Sequence, residues 1–299
     1  MADKCCFVQF SHPGKEHDFD SGRYWHKQTR NHMRKFMQLH GNWIDRDGAK
    51  GSGSLWAWGE WEPESDVVRR FSASPSGLRR PRFLWNPYHV PKVNYRGLHN
   101  TDPFIFGERF LYSNCGQTSS NKAGLKHLAQ GSVIAFGSGK EINGRRRWML
   151  DTVLVVRDFI DYEMCEARTE LKGWASDTFL EVVGGPLSDY DGETSCSGAC
   201  GPIAGRLRLY RGATPDDPVE GMFSFFPAVP AGGEKGFPRP LIDLPGEYFN
   251  PGSWQAPKGL GFGRSGDELS GQWKRLVRQV HDAGLVLGTH ADLPERRVK

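Results

Sequence analysis

Three observations predict an α+β protein with a β-rich core. Two short apolar runs rich in β-branched residues, 133–136 (VIAF) and 149–156 (MLDTVLVV), flank an Asn143-Gly144 dipeptide suited to a hairpin turn. The 37 glycines and 19 prolines follow no period, as many turns between short strands require. One well-marked amphipathic segment near the C-terminus reads as a helix that docks onto a sheet rather than as part of a bundle.

With 299 residues the chain can bury a full core, and 37% apolar with 25% charged residues excludes wholesale disorder. No apolar run approaches the roughly 18 residues needed to span a bilayer. The opening MADKCCFVQF has neither the layout nor the cleavage site of a signal peptide. A cytoplasmic protein without a membrane partner is therefore expected, its six cysteines reduced. The net charge of +4 says little, but basic residues gather at Arg30, Arg34 and Lys35, at Arg79, Arg80 and Arg82, at 145–147 and at 296–299. Clusters of this kind neutralise phosphates or simply wet a loop.

Taken in order, 7–10 (FVQF) reads as a strand ending in the turn Ser11-His12-Pro13-Gly14. Trp25, Thr29, Met33, Phe36 and Met37 recur at helical spacing and predict a helix over 24–39, stopped by Gly41. Its other face would carry Lys27, Arg30, Asn31, Arg34 and Gln38. Segment 55–62 (LWAWGEWE) reads as a strand whose period of two puts Trp56, Trp58, Glu60 and Glu62 on one side. Residues 72–97 lack periodicity and read as a long excursion, which in a compact domain tends to be functional. The stretch 98–117 is a polar, aromatic loop. Ser119 or Ser120 would cap a short helix closed by Gly131, and the two apolar strands follow.

Asp177 is placed to cap a short helix through Val183. Residues 184–205, rich in Gly, Ser, Asp and Pro, are the best domain boundary, giving a β-rich core over 1–190 and a smaller C-terminal lobe over 191–299. In that lobe, 206–211 and 221–227 read as strands and 228–264 as irregular. Ser265 and Glu268 form a capping box for a helix with Leu269, Trp273, Leu276, Val277 and Val280 on its apolar face, ended by Gly284. Residues 285–287 would return as an edge strand.

Candidate chemistry lies in three places. In the loop 98–117, Asn100 and Gln117 each present the paired donor and acceptor that reads the edge of an adenine-type base, and Asp102 can take an amino or hydroxyl proton. Phe104, Phe106, Phe110 and Tyr112 offer stacking faces, with Cys115 beside them. The competing reading makes Asn100 and Asp102 a turn into Pro103 and the phenylalanines core. In 55–62, Glu60 and Glu62 would stand about 7 Å apart, a separation compatible with a general acid and base across one bond, and Trp58 would help desolvate them. The plainer alternative leaves Glu62 in water and Glu60 paired with an arginine. His12, held in its turn, could serve as base or phosphate contact, with Arg30 and Arg34 on phosphate. Cys196 and Cys200 are spaced too loosely for a zinc knuckle, so no metal is expected, and no phosphate-binding or hydrolase motif calls for a cofactor.

The run 128–138 (LAQGSVIAFGS), a turn, then 150–156 (LDTVLVV) resembles the strands of PUA-like β-barrels such as ASCH and EVE domains, with Ser132 where an acidic residue usually falls. That resemblance implies a partly open barrel and recognition of RNA or of modified bases. The whole chain is similar to bacterial and phage proteins grouped as nucleotide-modification-associated. Leu209-Tyr-Arg-Gly212 with Ser224 resembles the arginine and serine motifs of ADP-ribosyltransferases. The expected function is binding or processing of a nucleotide or modified nucleic-acid base. The alternatives are an enzyme cleaving an N-glycosidic bond with paired glutamates, and a protein-interaction subunit anchored by its tryptophans.

Overall fold

The computed structural model describes residues 3–12, 14–19, 33–72, 80–91, 101–117, 124–189, 206–231, 235–250 and 263–298. Strands organise it into two sheets. In the first, β1 (Phe7–Ser11), β7 (Val133–Ile142), β8 (Arg145–Glu163), β9 (Arg206–Gly212) and β6 (Leu111–Tyr112) lie side by side, with β11 (Leu241–Ile242) also on β8. The second runs β12 (Val286–Ala291), β10 (Phe226–Pro230), β3 (Lys50–Gly59), β2 (Lys35–Ile44), β5 (Phe83–His89) and β13 (Glu295–Arg296), with β4 (Ser65–Arg70) on β5. Because β12 pairs with β10 on one side and β2 on the other, four strands close into a small barrel. The β-rich α+β expectation holds.

The apolar hairpin is the first sheet's centre. Asn143 and Gly144 both take positive φ, 52° and 71°, the backbone that a two-residue hairpin turn with the strands' twist requires. Ile134, Phe136, Leu154 and Val156 join one core cluster. Val133, Ala135, Val153 and Val155 join a second. Covering both faces removes the usual apolar–polar alternation, which is why these strands are so bare of polar residues. Three short helices, α1 (Ala167–Glu170), α2 (Asp177–Phe179) and α3 (Gly185–Ser188), follow β8, and the second cluster is completed by helix α4 (Gly266–Asp282), which buries Leu269, Trp273, Leu276 and Val280. Its capping box forms as expected, with Ser265 accepting from the Glu268 amide and the Glu268 carboxylate accepting from the Ser265 amide. Gly284, at φ 76°, follows its end.

Several expectations are corrected. Residues 35–39 are not helical: they open β2, which pairs residue for residue with β3 from Lys35–Gly59 to Ile44–Lys50. Helical spacing over 25–37 competes there with a period-two pattern from Met37 onward, and long-range pairing wins over local spacing. Residues 20–32 lie outside the described residues. The excursion 72–97 contains a strand, β5, and 221–225 is irregular, the strand beginning only at Phe226. Residues 286 and 287 of the expected edge segment 285–287 belong to β12, which is no edge but the closing strand of the barrel. The short helix before Gly131 is a 3-10 turn over 124–126, its proposed serine caps lying outside the described residues. In the helical stretch expected from Asp177 to Val183, Ser176, not Asp177, is the cap, accepting from the Phe179 amide.

The residues around 184–205 are described only to 189. Strands after them are built into both sheets begun before them: β9 lies against β8, β10 against β3 and β12 against β2. Cys5, Cys6, Cys115 and Cys165 are free thiols. Among the described residues no helix is long and apolar enough to cross a membrane.

Candidate ligand site at the junction of the two sheets

Where the two sheets meet, five ionisable side chains from five separate segments come together out of water. Arg34 precedes β2 and is 1% exposed. It donates through Nη1 to Glu60 Oε2 at 2.6 Å and through Nε to Asp151 Oδ2 at 2.9 Å. Arg239, before β11, reaches Asp151 Oδ1 at 3.2 Å, Ser138 Oγ at 3.0 Å and the Gly14 carbonyl at 2.7 Å. His12, at the end of β1, stands with Nδ1 3.7 Å from Glu60 Oε2. Its ring stacks on Phe136 at 5.4 Å and meets Phe10 edge-on. Trp58 closes another side, its ring 5.8 Å from the Arg239 guanidinium and its Nε1 donating to the Phe237 carbonyl.

A β-bulge puts Asp151 there. The register of β7 on β8 steps from Phe136–Thr152 to Gly137–Leu150, so Asp151 has no partner across the strand and turns toward the two guanidiniums. Gly137 makes the bulge possible, since a Cβ there would collide with the Met149 carbonyl oxygen. Burial works to lower the pKa of Arg34, but the charges of Glu60 and Asp151 outweigh it and raise the value above the ordinary range. Arg34 Nη2 is buried without a hydrogen-bond partner among the described residues. A guanidinium with one arm left dry and unsatisfied is costly.

The loop 101–117 packs beside this cluster, but Asp102, Tyr112 and Gln117 spend their polar groups on the chain's own backbone. Asp102, fully buried, accepts three backbone amides: Ser113 on Oδ1, and Asn114 and Cys115 on Oδ2, at 2.8 to 2.9 Å. Gln117 does make the donor–acceptor pair read from its sequence, but on a peptide: Nε2 donates to the Arg208 carbonyl and Oε1 accepts the Arg208 amide. Tyr112 donates to the Cys115 carbonyl and stacks on Tyr210, and burial raises its phenol well above the usual value. Phe104, Phe106 and Phe110 are core. Asn100 and Arg30 lie outside the described residues.

Segments 56–62 and 101–117 therefore converge, but by packing. Trp61 meets Phe106 at 5.0 Å, and the Glu62 amide donates to Thr101 Oγ1. Glu60 and Glu62 lie past the end of β3 and part company, Glu60 toward Arg34 and His12. Glu62 is buried, not in water, with its charge acting on the Lys35 amine. Burial lowers that amine to about 7, against the pull of Glu62 and Glu64. Arg34 is thus not on a solvated helix face but inside the molecule.

Sequence reasoning missed Asp151, Ser138 and Arg239. Asp151 carried a signal, being the one charge in the apolar run 149–156. Arg239, between two prolines in an irregular segment, carried none. Its segment also lines an open surface cleft of about 330 Å³ against the end of α4, with Phe237, Leu241 and Asp282 among the walls. No family model, curated protein or solved structure gives a significant match to the chain.

Proposed function

We propose that the junction of the two sheets binds a nucleotide or a modified nucleic-acid base, as a PUA-like reader from a bacterial or phage nucleic-acid modification or defence system, working in the cytoplasm. The observation that carries this reading is the unsatisfied, buried Nη2 of Arg34 in a site walled by His12, Trp58, Phe10 and Phe136. Two guanidiniums already balance two carboxylates, so the ligand group that suits this donor is a neutral acceptor such as a base carbonyl rather than a phosphate. Rings alongside supply stacking faces. The resemblance of 128–138 and 150–156 to PUA-like strands points the same way.

The test is a calorimetric titration with free bases, nucleosides and nucleotides, unmodified and modified, on wild type and Glu60→Gln. Binding by one base class, weakened in Glu60→Gln with folding intact, is expected. Silence across the panel, or a variant that binds as wild type does, overturns the reading.

One observation favours the enzymatic alternative in an altered form. Glu60 and Asp151, rather than Glu60 and Glu62, are the carboxylates held together, bridged by one guanidinium with His12 beside them. Such a pair suits acid and base roles on an N-glycosidic bond. Release of free base from a nucleoside or from NAD, abolished in Glu60→Gln, would replace simple binding with that activity. An interaction subunit anchored by tryptophans is less well supported: Trp56, Trp58, Trp61, Trp85, Trp148 and Trp273 are all buried.

A further inference from the structure

The hairpin of β7 and β8 outruns its sheet. Pairing of β1 with β7 ends at Ser11–Gly137, and β11 covers β8 only at Trp148 and Met149. Among the described residues, 139–147 therefore form a two-stranded ribbon without a strand on either flank, reaching about 13 Å beyond the body at about 3.4 Å per residue. Its two faces differ. Lys140 stands opposite Arg147 and Ile142 opposite Arg145, so three cations share one face, while Glu141 stands opposite Arg146 on the other.

Like charges directly across a ribbon destabilise it. Neither Arg145, exposed, nor Arg147, half-buried, makes an ion pair among the described residues. The cationic face is continuous with the junction. Ser138, two residues before Lys140 and on the same side of β7, accepts from Arg239.

We infer that this ribbon grips the phosphate backbone of duplex nucleic acid through Arg145 and Arg147, flanked by Lys140. A two-stranded ribbon fits the roughly 12 Å width of a B-form major groove, and two arginines on one face match a polyanion whose phosphates repeat every few ångströms. Backbone grip and base reading are thereby divided between a charged arm and a charge-balanced junction at its root. The step from arm to junction rests on the proposed base binding; the phosphate contact does not.

Fluorescence anisotropy with a labelled 20-base-pair DNA duplex, and with the same duplex as RNA, tests the inference between 50 and 300 mM KCl. Wild type should bind one or both, with log K falling linearly against log [KCl]. Arg145→Ala/Arg147→Ala should bind at least about tenfold more weakly at low salt. Its slope should be shallower by about 1.8, at about 0.9 for each phosphate that is no longer neutralised. Binding to RNA alone would point to a shape-reading contact on the same arm and keeps the inference. No binding by wild type, or a double variant with unchanged affinity and slope, overturns it. The substitutions sit in the ribbon beyond the body of the sheet, and an unchanged melting temperature excludes misfolding. Duplex binding that depends on the arm while the base panel stays silent keeps the arm and rejects the junction; the opposite pattern rejects only the arm.

Discussion

Replacing Asp102 separates a structural role for the 101–117 loop from a ligand-binding one. In Asp102→Ala, the amides of Ser113, Asn114 and Cys115 lose their acceptor in a region closed to water. Each buried, unsatisfied amide costs about 1–3 kcal/mol, so the loss spans roughly 3–9 kcal/mol before relaxation. A water admitted into the space left by the carboxylate would recover part of that, which puts the expected value at about 3–4 kcal/mol. Whole proteins are stable by only about 5–15 kcal/mol, so the effect is large. Asp102→Asn keeps one acceptor oxygen but turns an NH2 toward the remaining amides, and should fall between alanine and wild type. Urea denaturation at neutral pH measures both. With a slope of about 3 kcal/mol per molar urea, the alanine variant's midpoint should fall by about 1 M. If the midpoint holds within about 0.2 M while base binding is lost, the buttress argument fails and Asp102 returns as a ligand contact.

Two further predictions concern stability. Burial lowers the Lys35 amine from 10.5 to about 7. Between those values the unfolded chain keeps a proton that the folded chain has released, so this group makes stability rise with pH across the window, by at most about 1.4 kcal/mol per pH unit. Urea midpoints from pH 7 to 10 should climb in wild type relative to Lys35→Met; parallel curves would show that the amine titrates normally. Ser265→Ala removes one side of the capping box of α4 and should cost about 1 kcal/mol by thermal or urea denaturation. A change below about 0.3 kcal/mol would mean that packing alone fixes that helix end.

Much of the fold was legible because its signals are local. The β7–β8 hairpin is written in an Asn-Gly turn between β-branched runs, and α4 in a capping box, an apolar stripe and a following glycine. What was not legible depends on distant pairing. The segment from Lys35 to Leu39 belongs equally to a helical stripe reaching back to Trp25 and to an alternating strand, and only β3 decides between them. Residues 285–287 read as an edge because nothing local says that β2 waits on the far side. At the site, His12, Arg34 and Glu60 each stood out, but the first two as a phosphate contact and the third as one of a glutamate pair, and the bulge that turns Asp151 toward them has no sequence signature beyond a lone acid among apolar neighbours. Gln117 is instructive for another reason. A peptide group offers the same donor–acceptor pair as a base edge, so the right side chain satisfied its pattern on Arg208 of its own chain.

Whether the junction is there to bind or only to hold two sheets together can be decided by removing all of its charges at once. Taking away Arg34 alone, as Arg34→Met, removes the guanidinium from Glu60, leaves Asp151 to Arg239 alone in a dry interior and should cost about 3–5 kcal/mol, which by itself says nothing about purpose. Replacing a whole buried ion set by apolar groups of similar size is often neutral or stabilising by about 1–4 kcal/mol, because desolvation consumes the Coulombic gain. The quadruple variant Arg34→Met/Glu60→Leu/Asp151→Leu/Arg239→Met should therefore fold, with a urea midpoint at or above that of Arg34→Met. A fold that would be as stable without these charges has no thermodynamic reason to carry them. Loss of base binding in the folded quadruple variant would then assign the charges to the ligand. A variant that folds and binds as wild type does would reduce the cluster to a fastening between sheets, and the unsatisfied arm of Arg34 would be a cost without a function.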